Sequence, residues 1–266
     1  MVLRVAFQMD PIENINIYED TTFRIAEEAQ KRGHKLFYYT PQDLAYEEGE
    51  IVSFGHYLSL RREQGNHFSI GTRKKVNLGS DFDIIWLRQD PPFDMSYITT
   101  THLLDLLEEH TIVVNNPFWV RNYPEKLLVL NFPDLIPPTM VARNLEMFKV
   151  FREKHGDTII KPLYGNGGAG IFKIQKDDPN LSSLIELFES TSGEPIIMQK
   201  YVPEVISGDK RVILVNGDPI GAINRVPQAG EVRSNMHVGG KAEKIGLTDR
   251  DFEICNKIGV LMKEKG

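Results

Sequence analysis

Residues 159–174, IIKPLYGNGGAGIFKI, decide the fold. Gly165 to Gly170 match G-x-G-x-x-G, a pattern that in dinucleotide-binding folds closes a strand and opens a helix. Here strand-like runs stand on both sides, TIIKPL at 158–163 and IFKI at 171–174. No acidic ribose ligand follows at the distance a dinucleotide fold would require. The spacing therefore predicts a glycine-rich turn between two strands, and a plain hairpin would satisfy it. Lys161 on the incoming strand adds chemistry, because exposed amide N–H groups beside a lysine suit the charged oxygens of a polyphosphate. The P-loop pattern G-x-x-x-x-G-K-[ST] is absent.

Outward from this stretch, helices are predicted near 144–155 and 180–190, with a strand at 195–202. Residues 210–215 and 220–225 flank Asn216-Gly217-Asp218-Pro219, a hairpin turn signal. Thr248 with Asp251 resembles a capping box opening a helix to about Lys265, and Asp249, Asp251 and Glu253 suit its N-terminal dipole. Upstream, strands at 3–9, 35–40, 82–87 and 111–114 alternate with helices at 20–32 and 97–109, the pattern of a parallel α/β lobe. Asp20 is the N-cap candidate of the first helix, and Gly33 lies just past its end. Asp10 and Arg88 fall beyond the carboxyl ends of strands, where open α/β sheets gather ligands. The first lobe is expected to end near residue 123.

Composition narrows the function classes. With 266 residues, 41% hydrophobic and 26% charged, the chain suits a soluble globular protein of two or three lobes. A formal net charge of -6 without a Lys/Arg run argues against nucleic-acid partners. The single cysteine, Cys255, excludes an intrachain disulfide, fits a reducing cytoplasm and suits a small core position. No signal peptide is evident, and no apolar run approaches the ~18–20 residues of a membrane span. The seven histidines form no zinc pattern.

Lys126, Lys161, the 199–204 segment and Asp209-Lys210-Arg211 would each pass singly for ordinary surface groups. Their order is what carries information. A strand lysine, a glycine-rich flap, Gln199-Lys200-Tyr201-Val202-Pro203-Glu204 and then Asp209-Lys210-Arg211 resembles the ATP-grasp superfamily. Within it, MDPIENINIYEDTTF from Met9, RQDPPFDMSYI at 88–98, NNPFWVRNYPEKL from Asn115, the 159–174 stretch and SGDKRVILVNGDPIGAINRVPQAGEVRSNMHVGG at 207–240 are similar to bacterial glutathione synthetases. The resemblance runs the length of the chain. It implies an α/β ATP-grasp fold with an N-terminal Rossmann-like (pre-ATP-grasp) lobe, divided as 1–123, 124–204 and 205–266, the last lobe incomplete.

The resemblance also implies roles. Lys126 and Lys161 would contact ATP phosphates, and Gly165, Asn166, Gly167, Gly168, Ala169 and Gly170 would fold over them. Gln199, Lys200, Tyr201 and Val202 would line the adenine pocket, with Glu204 near the ribose. Asp209 and Arg211 would stand near the phosphoryl-transfer centre, and Arg225 would neutralise the reacting groups. Asn16, Arg88, Arg225 and Arg233 would hold the dipeptide, and Arg211, Arg225 and Arg233 would serve catalysis. Residues 227–241, which could be a simple surface loop, would act as a lid that keeps water from an acyl phosphate.

The implied reaction joins γ-glutamylcysteine to glycine with ATP and Mg2+, in a homo-oligomer when full length. The family's metal ligands, an Asp and a Glu-x-Asn pair, are expected beyond Gly266, so this chain is expected to lack metal ligands and turnover. Two further readings stay open: another ATP-grasp carboxylate–amine ligase, adding glutamate or acting on peptides, and an inert nucleotide-binding module.

Overall fold

The structure, a computed structural model, describes residues 1–107, 111–231 and 233–265. Backbone packing divides the chain into two units, Met1–Asn122 and Tyr123–Gly266.

The first unit is built on one sheet with strand order β3-β4-β2-β1-β7-β8. Its strands are β1 (Arg4–Met9), β2 (Lys35–Tyr39), β3 (Leu44–Glu47), β4 (Glu50–Leu60), β5 (Phe68–Ile70), β6 (Lys74–Asn77), β7 (Ile84–Arg88) and β8 (Ile112–Val114). Its helices are α1 (Thr21–Lys31), the short α2 (Leu78–Asp81), α3 (Met95–Asp105) and α4 (Pro117–Asn122). β2, β1, β7 and β8 are parallel, as the alternating pattern predicts. β1 is buried on both faces: Val5, Phe7 and Met9 pack with Phe23 and Ala26 of α1, and Ala6 packs with Leu104 of α3. The Asp20 carboxylate caps α1 by accepting from the Phe23 N–H at 2.6 Å. Of the helix expected over 97–109, Glu108 and Glu109 lie outside the described residues.

The lobe is not wholly parallel. β4 runs antiparallel to β2 and also pairs with β3, β5 and β6, an extension the sequence does not announce. The reason lies on its buried side, where Ser53 and Gly55 take positions at which alternation would show large apolar residues. A Cβ on Gly55 would lie 2.4 Å from the Tyr38 carbonyl oxygen and 2.6 Å from the Phe37 ring. Phe37 fills that space, so the strand loses its period-2 signature.

The second unit holds two antiparallel sheets. The first, ordered β11-β10-β12-β9, comprises β9 (Thr139–Ala142), β10 (Thr158–Pro162), β11 (Phe172–Ile174) and β12 (Ile196–Lys200). A short helix, α5 (Glu125–Leu128), precedes it, while α6 (Leu145–His155) and α7 (Leu181–Thr191) cover one face. Ile160, Ile174, Ile196 and Met198 meet Phe148, Phe151, Leu181 and Ile185 there. The second sheet is ordered β13 (Asp209–Val215), β14 (Asp218–Val226) and β15 (Lys241–Ile245), with α8 (Asp249–Lys263) packed on it. β9 and β15 lie outside the predicted strands, and all five residues of β15 are exposed, which leaves no hydrophobic period. β15 also takes Lys241 out of the expected lid.

The capping box at Thr248 is present, with Asp251 accepting from the Thr248 N–H at 2.7 Å and from Lys210 of β13 at 2.5 Å. Cys255 is a buried core residue whose thiol is pushed up by burial. No helix of the described residues is long and apolar enough to cross a membrane.

Candidate active site

The glycine-rich stretch links β10 to β11, which pair antiparallel with Ile160 opposite Phe172. It is a hairpin flap and not a strand-to-helix turn. Gly167, Gly168 and Gly170 have φ of 60°, 86° and 68°, a region that side-chain-bearing residues avoid. The Ala169 N–H donates to the Asn166 carbonyl, closing the turn. A Cβ on Gly165 would lie 2.5 Å from Pro162 Cγ, so the chain folds back tightly on β10.

The β10–β12–β9 face opposite the helices carries a polar row. Lys161 Nζ donates to Gln199 Oε1 at 2.6 Å, and Gln199 Nε2 donates to Thr139 Oγ1 at 2.8 Å. Strand register aligns them, since Gln199 sits directly opposite Thr139 and one diagonal step from Lys161. Lys126 of α5 reaches the mouth of the flap, donating to the Pro162 carbonyl at 2.8 Å and to that of Gly165. Burial, followed by the nearby Lys126 charge, holds the Lys161 ammonium below the usual lysine range. Burial lowers Lys126 as well. Neither lysine has an ion-pair partner among the described residues. Two partly desolvated cations whose hydrogen-bond acceptors among the described residues are all neutral are charges that a nearby anion would stabilise.

At the end of β12, the Lys200 N–H donates to the Pro138 carbonyl and the Tyr201 N–H to that of Asp157. The Val202 N–H has no backbone partner among the described residues. Lys173 sits 3.9 Å from the Tyr201 ring centroid and 3.3 Å from Asp157. Glu204 is exposed in the 3-10 turn Pro203–Ser207. On the second sheet, Asp209 faces Arg225 in register and accepts from it at both oxygens, at 2.7 and 2.6 Å. Arg211, two residues along β13, is exposed without a side-chain partner among the described residues.

The lid stretch is folded on itself, with Gln228 Nε2 donating to the Gly239 carbonyl and the Gly240 N–H to that of Asn235. Val232 lies outside the described residues. Arg233 pairs with Glu231 at 2.6 Å and donates to the Gly168 carbonyl at 3.2 Å, so the lid rests on the flap. Asn235 closes the same contact, its Oδ1 lying 2.8 Å from where a Gly168 Cβ would stand. Thr139 and Asn235 carry no sequence signal of their own. Neither residue type marks a site, and only pairing across the sheet or flap reveals them.

In the first unit, Asn16 and Arg88 flank one end of α1. Arg88 donates to Thr22 Oγ1 at 2.9 Å and Thr21 Oγ1 at 3.0 Å. The Asn16 carbonyl accepts from the Asp20 N–H at 2.9 Å. Asp10 accepts from the Asp90 N–H at 2.6 Å, which joins the ends of β1 and β7. Burial raises the Tyr97 phenol, which also senses Arg88, Asp90 and Asp10.

Comparison with known proteins accords with this geometry. A RimK domain ATP-grasp protein from Sphaerobacter thermophilus superposes with a TM-score of 0.63 at 15% identity, covering 98% of this chain and 81% of its own. The ATP-grasp ligase PsnB, complexed with minimal precursor, Mg and ADP, gives 0.57 at 18% identity, with 97% and 79% covered. These superpositions give the fold as that of the ATP-grasp class. Family models sharpen that class: the N-terminal domain of prokaryotic glutathione synthetase matches residues 3–121 and its ATP-grasp domain residues 125–266. The glutathione synthetase of Mesorhizobium japonicum is 50% identical over 266 residues, all of this chain and 85% of its relative. That of Agrobacterium fabrum is 51% identical over 265 residues, with 100% and 83% covered. The chain belongs to the prokaryotic glutathione synthetase family, and its role is that of an ATP-dependent ligase in glutathione biosynthesis.

Proposed function

We propose that the ligase to which this chain belongs joins γ-glutamylcysteine to glycine through an acyl phosphate. A carboxylate oxygen of the dipeptide attacks the γ-phosphorus of ATP, and the bond to ADP breaks. The glycine amine then attacks the acyl carbon, phosphate leaves and the amine proton passes to solvent. The observation that carries this is the pair of desolvated lysines, Lys126 and Lys161, beside the flap, near Glu125 but in ion-pair contact with no carboxylate among the described residues. Positioning and charge neutralisation supply most of the catalysis in such a reaction.

In this reading Lys126 and Lys161 hold the phosphates and Gly165 to Gly170 cover them. Gln199 to Val202 flank the adenine, where the Val202 N–H, without a backbone partner among the described residues, supports backbone recognition of the purine edge. Glu204 takes the ribose. Arg225, aligned by Asp209, and Arg211 neutralise charge at the transferring group, while Asn16, Arg88 and Arg233 hold the dipeptide. The lobes run 1–123, 124–204 and 205–266, and the ligase works as a cytoplasmic homo-oligomer. ATP enters as its Mg2+ complex, a choice supported by the Mg and ADP named with PsnB. Among the described residues no three His, Cys, Asp or Glu side chains cluster as metal ligands, so none is assigned here to the ion.

The test is calorimetry with a non-hydrolysable ATP analogue and γ-glutamylcysteine. Lys161→Met should weaken the analogue at least tenfold and spare the dipeptide; unchanged analogue affinity would overturn the assignment. Phosphate release by a version that carries the family's metal ligands, with a series of amino-acid acceptors, separates this ligase from one of another specificity, since glycine should be fastest.

A further inference from the structure

The loop between β1 and α1 carries Asn16, and side chains from elsewhere in the first unit hold its backbone. The Ile12 N–H donates to Tyr38 Oη at 3.2 Å, and the Ile12 carbonyl accepts from His67 Nε2 at 2.7 Å. Because a carbonyl only accepts, Nε2 carries that proton. Gln64 Oε1 accepts from the Ile17 N–H at 3.0 Å, and Gln64 Nε2 donates to the Ile15 carbonyl at 3.2 Å. One carboxamide thus satisfies the backbone on both sides of Asn16, as a neighbouring strand would. Ile12 and Ile17 anchor the loop in the core at 1% and 0% exposure. Asn16 itself is exposed. Its Oδ1 accepts from the Tyr18 N–H at 3.1 Å, and its amide N–H groups have no partner among the described residues. Those two donors suit a carboxylate or carbonyl oxygen.

We infer that Gln64 is a positioning residue for the dipeptide, acting through the 12–17 loop whose base His67 fixes; this rests on the assignment of the loop that carries Asn16 to the dipeptide site. A loop ordered in advance loses less conformational freedom when its ligand binds, so its supports contribute affinity without touching the ligand. Gln64 and His67 belong to the connection between β4 and β5, the part of the lobe with no strand signature.

The experiment is titration of the intact chain with γ-glutamylcysteine and, separately, with a non-hydrolysable ATP analogue. Gln64→Ala should raise the dipeptide Kd about tenfold and leave the analogue Kd within about twofold. Gln64→Glu keeps the acceptor for Ile17 and loses the donor to Ile15, so its loss should be intermediate. Amide exchange at Ile12 and Ile17 should quicken in both. Parent-like dipeptide binding by Gln64→Ala, or equal loss of both ligands, overturns the inference. Asn16→Ala separates the two assignments. If it binds the dipeptide normally while Gln64→Ala does not, the Asn16 role fails and the positioning role stands. A parent chain that does not bind the dipeptide overturns both.

Discussion

Lys161 and Gln199 stand on paired antiparallel strands, one diagonal step apart, and the lysine ammonium donates to the glutamine carbonyl oxygen at 2.6 Å. A neutral acceptor orients the cation without cancelling its charge. A carboxylate at 199 would hold Lys161 equally well and would spoil it for phosphate. Gln199→Glu is therefore expected to weaken an ATP analogue at least tenfold, about 1.4 kcal/mol, without lowering Tm. Calorimetry and a melting curve on one preparation check both.

The same desolvation sets a pH dependence. Burial lowers both Lys126 and Lys161, and a bound polyphosphate favours their charged forms, so binding takes up protons where the lysines are partly neutral. Nucleotide affinity should be full at pH below the lowered values and fall as pH rises through them. In the free chain the sign reverses: the unfolded state binds more protons in that window, so intrinsic stability rises with pH across it. Tm measured with and without the analogue should converge in alkaline solution.

Gly168 combines φ of 86° with a close neighbour, Asn235 Oδ1, 2.8 Å from the position of an added Cβ. Gly168→Ala should strain the flap by about 1–2 kcal/mol from backbone conformation alone. Analogue affinity should fall, and Asn235→Ala should restore the steric part in a double-mutant cycle. Strict additivity of the two changes would show that flap and lid do not touch there.

Asp251 ties α8 to β13. Its carboxyl is lowered to about 2 from 3.8, first by Lys210 and then by the Thr248 N–H. A depressed carboxyl pKa contributes stability that is fully present above 3.8 and lost as pH falls through about 2. The Tm gap between the parent and Asp251→Asn should be constant near neutrality and close between pH 4 and pH 2, as acid melting curves would record.

Much of the site is legible where residue type and local order coincide. The glycines of 165–170 between two strands predict the flap, and Asp20, Thr248 and Asp251 announce their helices through the capping bonds they make. Illegible elements lack a hydrophobic period for two different reasons. β4 hides behind Gly55 because Phe37 occupies the room, and β15 shows no period because every residue of it is exposed. Thr139 and Gln64 are ordinary surface-type residues whose roles come from groups 60 and 49 positions away. No local window contains such a relation.

Where the lid rests on the flap, through Arg233 and the Gly168 carbonyl, thermodynamic linkage follows. A ligand that favours this flap shape favours the lid arrangement bonded to it, and a ligand of the lid favours the flap by the same free energy. Nucleotide and lid ligand would then be cooperative by reciprocity, each lowering the other's dissociation constant by an equal factor.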